Sequence, residues 1–129
     1  MHRRATILMI TGPTDHLHIV MNDPVFSAEH NANSILVVNI SSVRPSIPHD
    51  PTCILEQGCH NFVTRQSYVA YDRAVVLNSE RVATRINDGE FRTLDPCSEE
   101  LFARVLTGFA TSQFVLPKIS RFIRNNFPV

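Results

Sequence analysis

The sequence predicts an α+β fold: a curved, mainly antiparallel sheet or small barrel closed by helices near the C-terminus. Two observations carry this. Short, β-branched apolar runs broken by Pro, Gly and Asn fill the chain up to residue 78, and helical periodicity begins only after it. Strands first and helices last argue for α+β over a wound parallel sheet.

The elements follow in order. Residues 5–10 form an apolar run ended by Gly12-Pro13, a first strand. In 16–21, alternation sets His16, His18 and Val20 on one face and Leu17, Ile19 and Met21 on the other, before Asn22-Asp23-Pro24 stops the strand. Residues 27–34 are polar and read as a surface loop. Residues 35–40, Ile-Leu-Val-Val-Asn-Ile, are apolar on both faces, as a central strand requires. Pro45, Pro48 and Pro51 forbid regular structure over 44–51. A short strand over 52–56 leads to a turn at Gln57-Gly58. Residues 67–71 and 74–77 read as two strands or one long strand with a bulge near Asp72. Residues 79–87 suit a short helix with Ser79 as N-cap and Gly89 as terminator. Asp95 and Pro96 suit the start of a helix over 96–110. Phe102, Val105, Leu106 and Phe109 form its apolar stripe, with Phe102, Leu106 and Phe109 expected to pack onto the sheet. A last amphipathic helix starts at Pro117 and frays by Pro128.

At 129 residues the chain fits a single domain over 1–129, with a β-rich body at 5–78 and a helical part at 79–127. Lys+Arg and Asp+Glu balance at 12 each, so no global field draws it to nucleic acid or membrane. Residues 113–129 nevertheless contain Lys118, Arg121 and Arg124 and no acid, and Lys118 is the only lysine in the chain. Cys53, Cys59 and Cys97 are an odd set without C-x-x-C spacing, expected as reduced thiols. The basic start and the apolar run after it are too short for a signal core, and no stretch is long enough to span a bilayer. A cytoplasmic protein is expected.

Chemistry concentrates in residues 58–73. This stretch holds His60, Arg65, Ser67, Tyr68, Tyr71, Asp72 and Arg73 around a turn and a strand. Metal-free RNA cleavage needs such types: a base for the 2′-hydroxyl proton, an acid for the leaving oxygen and a cation for the phosphorane. His60 suits either proton transfer. Arg65 and Arg73 suit phosphate, and Tyr68 and Tyr71 could stack bases. The expected catalytic set is therefore His60, Arg65, Ser67 and Asp72, and the expected binding set is His16, His18, Tyr68, Tyr71 and Arg73. The competing reading makes the tyrosines half-buried strand residues and Asp72-Arg73 a solvated turn. His16 and His18 share a strand face and would form a zinc site only if His60 joined them; no metal and no cofactor is expected. A Gly-rich phosphate loop and a G-x-S-x-G elbow are both missing from the sequence. Cys59 and His60 are adjacent and would diverge on a strand.

The order of elements over about residues 16–110 resembles the PemK/MazF-like toxin family of SH3-like barrels. His18-Ile19-Val20-Met21 resembles its "pvliv" strand, residues 35–42 its "vvvpvts" strand, residues 67–73 its "gvvrcdq" strand, and residues 99–109 its C-terminal helix. The resemblance implies a metal-independent endoribonuclease of a toxin–antitoxin or defence system, with RNA and an antitoxin or other protein as partners and a homodimer as one compatible assembly. The family's catalytic arginine falls on Ala70 and its preceding threonine on Gln66 or Arg65, so only Asp72 matches at that strand. Either Arg65 or Arg73 takes over the cation's role, or catalysis differs or is lost. The alternative is a non-catalytic SH3-like module that binds a protein or RNA through the same surface.

Overall fold

The computed structural model describes residues 2–11 and 14–128. Its strands are β1 (Thr6–Thr11), β2 (Thr14–Val20), β3 (Val25–Ser27), β4 (Ala32–Ser42), β5 (Ile54–Leu55), β6 (Ser67–Asn78) and β7 (Arg92–Leu94); its helices are α1 (Ser79–Asn87), α2 (Glu99–Thr111) and α3 (Pro117–Asn126). The fold is α+β, as expected. One curled antiparallel sheet runs β5-β6-β4-β2-β1-β7, with β3 paired to β4. The Gly12-Pro13 turn expected after the first strand lies outside the described residues.

The apolar alternation decides what covers each face. Leu17 and Ile19 of β2, Leu36, Val38 and Ile40 of β4, and Val69 and Tyr71 of β6 point to one side, under Leu101, Phe102, Val105 and Phe109 of α2 and Ile119 and Phe122 of α3. Ile7, Met9, Val20, Ile35 and Val37 point to the other, under Val82 of α1. β4 is buried on both faces and lies between β2 and β6, which makes it the central strand. α1 crosses its face so that the chain passes from β6 to β7 on the free edge of β1.

β6 is one strand with a bulge. Val37 pairs with Val75 and Asn39 with Ala70, so Val38 alone faces the four residues from Tyr71 to Ala74. The extra residues keep Tyr71 and Ala74 both on the α2 side and leave Asp72 and Arg73 exposed.

Four local expectations need correction. Residues 27–34 are not a surface loop throughout: Ser27 ends β3 and pairs with Ala32 at the start of β4, and Ser27 and Ser34 are buried. Asn78, not Ser79, caps α1: its Oδ1 accepts from the Glu80 and Arg81 N–H groups, while the Ser79 hydroxyl donates to Asn33 O. Ser98, not Asp95, caps α2, because its Oγ accepts from the Leu101 N–H, whereas the Asp95 carboxylate accepts from Asn61. Leu106 is 37% exposed, so Phe102, Val105 and Phe109 dock the helix without it. The strands β3 and β7, three residues each, escaped the sequence reading.

Candidate functional site

A cleft of about 570 Å³ opens where one end of the α1-side face meets the loops before and after β5. Sheet register builds its floor. Leu17 on β2 pairs with Ile40 on β4; the residues next to them, His16 and Ser41, both line the cleft, and Ser41 pairs with Tyr68 on β6. Alternation sends the His16, Ser41 and Tyr68 side chains to the same face, and the bulge brings Arg73 to the same cleft.

The walls come from the two loops. Residues 43–53 supply Arg44, Ile47, Pro48 and His49, and residues 56–66 supply Asn61, Phe62, Thr64 and Arg65. The first loop is held by Asp50, whose Oδ1 accepts from the Thr52 N–H at 2.9 Å and whose Oδ2 accepts from Ser112 Oγ at 2.6 Å. Burial pushes the Asp50 carboxyl up, but these hydrogen bonds outweigh it and hold it below its ordinary value. The His49 ring rests against Tyr68, with centroids 5.2 Å apart.

The second loop turns at Gly58, which has φ +92° and donates its N–H to Val63 O. His60 ties that loop down. It is 7% exposed, its Nδ1 accepts from the Phe62 N–H, and its Nε2–H donates to Asp95 O. Both ring nitrogens are thus committed to backbone partners, and the cleft lining does not include His60. Its observed role is to brace the loop that carries Arg65.

The other expected site residues divide clearly. Arg65, Ser67, Tyr68, Arg73 and His16 meet in the cleft. Ser67 Oγ donates to Arg65 O, so it shapes the loop exit. Asp72 is exposed at the bulge and does not line the cleft. Tyr71 points the other way: it is fully buried, donates its hydroxyl to Val105 O at 2.8 Å and stacks edge-on against Phe109. Burial pushes its phenol well up, as expected of a core tyrosine. His18 is 2% exposed on the floor of a neighbouring cleft, with its Nδ1 donating to His16 O. Burial lowers its pKa to about 4, so it stays neutral.

Sequence reading missed Arg44 and His49. Both sit among Pro45, Pro48 and Pro51, a segment read only for what it forbids; a polar pair on a proline-stiffened loop was the available signal. Among the described residues, no group of three or more His, Cys, Asp or Glu side chains could hold a metal ion. Cys53, Cys59 and Cys97 are free thiols whose pKa values burial raises. No helix among the described residues is long and apolar enough to cross a membrane.

No family model, curated protein or solved structure matches the chain.

Proposed function

We propose that this cleft binds single-stranded RNA and cleaves it without a metal ion, in a toxin-like cytoplasmic protein restrained by an antitoxin. One observation carries the reading: His16 and His49 line the same cleft as Arg44, Arg65 and Arg73. One imidazole takes the proton of a ribose 2′-hydroxyl, and that oxygen attacks the adjacent phosphorus. The P–O5′ bond breaks, and the departing oxygen takes a proton from the second imidazole. The products are a 2′,3′-cyclic phosphate and a 5′-hydroxyl end. The guanidiniums stabilise the charge that builds on the phosphorane, and Tyr68 offers a ring for a flanking base. His16 and His49 take the proton-transfer roles first expected of His60.

Incubating the purified protein with a mixed single-stranded RNA pool and a chelator tests this. Cleavage undiminished by the chelator, with cyclic phosphate ends, is the expected result. Binding without cleavage would replace the nuclease with a non-catalytic RNA-binding module. Neither binding nor cleavage would remove RNA from the account.

A further inference from the structure

A second cleft, also about 570 Å³, lies on the same sheet face and shares Arg73 with the first. We propose that it continues the RNA track, so that the substrate is an extended single strand and not a mono- or dinucleotide. This rests on the function proposed above and adds a substrate class and a second binding site to it.

Sheet geometry makes the two clefts neighbours. His16 and His18 are two residues apart on β2, and Ser41 and Asn39 are two apart on β4, so each pair spans about 7 Å along one face. The first member of each pair lines one cleft and the second lines the other. Arg73, turned onto this face by the bulge, stands where they meet.

The second cleft has the composition a single strand requires. Its sheet floor is largely apolar, with Met9, Val75 and Leu77 beside the buried His18 and Asn39, and Val82 of α1 closes one side. Its rim carries Arg81 and Arg85, four residues apart and so on one face of α1. Arg85 lies over the Phe91 ring, 5.8 Å from its centroid, and also pairs with Glu90 at 2.7 Å. Arg81 is exposed and is the rim cation best placed for a phosphate.

Charge segregation supports one continuous track. The chain has zero net charge, yet the two linings together hold five arginines and a single acid, Asp15. Guanidiniums along a largely apolar, partly aromatic floor bind a strand through its phosphates and base faces without demanding a sequence.

The test is fluorescence anisotropy with labelled single-stranded RNAs of about four and about ten nucleotides, the range of site sizes known for small β-folds that bind single strands. The oligonucleotides carry 2′-O-methyl groups so that they cannot be cleaved. The longer strand should bind the parent protein at least tenfold more tightly. Arg81→Ala should remove most of that gain, leave the short strand unaffected, and lower the salt slope for the long strand by about 0.7. Equal binding of both lengths by the parent, or an Arg81→Ala effect that ignores length, would overturn the extended track and leave the first cleft's function standing. If neither length binds, both readings fall. Matching melting curves for parent and variant exclude a folding defect.

Discussion

Gly108→Ala is expected to destabilise the protein by about 2–4 kcal/mol, although the same change in an exposed helix interior stabilises by about 1 kcal/mol. Gly108 sits inside α2 directly over the ring of Tyr71. A Cβ there would lie 2.9 Å from Tyr71 Cε2 and closer still to Cζ and the hydroxyl oxygen. Tyr71 is fully buried between the sheet and α2 and packs edge-on against Phe109, so its ring cannot swing out to solvent. Either the ring moves and its hydrogen bond to Val105 O is lost, or α2 lifts off the sheet. Overpacking therefore outweighs helix propensity. The melting temperature should fall by roughly 6–15 °C for a chain of this size. Adding Tyr71→Ala should cost less than the two changes summed, because it removes the obstacle. A Gly108→Ala protein that melts at or above the parent would show that α2 does not lie on Tyr71 as described.

The second large effect concerns chemistry. His16→Ala and His49→Ala should each lower the RNA cleavage rate by about 10²–10⁴, the usual cost of losing a general acid or base. His60→Ala should act on stability instead. It strands the Phe62 N–H, and it takes one donor from Asp95 O, which keeps the Thr6 hydroxyl. A cost of about 1–3 kcal/mol follows. Below its melting transition the His60→Ala protein should still cleave within an order of magnitude of the parent. The opposite pattern, a folded but inactive His60→Ala with active His16→Ala and His49→Ala, would return the chemistry to His60.

Why the sequence exposed some of this and hid the rest is physical. Strand periodicity revealed β2, β4 and the two halves of β6, because burial of one or both faces leaves a direct mark on residue choice. The bulge at Asp72 was visible as a break in that alternation. β3 and β7 were hidden because three residues cannot display a period: β3 pairs across a tight turn with the polar start of β4, and β7 pairs with β1 at the other end of the chain. Helix caps misled because several polar residues competed for each start, and tertiary partners such as Asn33 for Ser79 settled the choice.

The site divided along the same line. His16, Arg65, Ser67, Tyr68 and Arg73 were found as polar residues beside strands, and the fold brings them together. Tyr68 and Tyr71 are three residues apart, so strand alternation sets them on opposite faces and only one could line the cleft; the packing of α2 over Tyr71 decides which. His60 drew notice as a polar residue at a turn, yet the same property suits a loop brace with two backbone partners. Arg44 and His49 reach the cleft only through a long loop pinned by Asp50 and Ser112, a contact between residues 62 positions apart.

The most direct test of the central claim is chemical-shift mapping with a single-stranded RNA blocked at its 2′-oxygens. Titration into isotope-labelled protein should perturb the resonances of His16, Arg44, His49, Arg65, Tyr68 and Arg73, and leave those of α3 unchanged. Perturbations confined to α3, or none at saturating RNA, would contradict the assignment of this cleft to RNA.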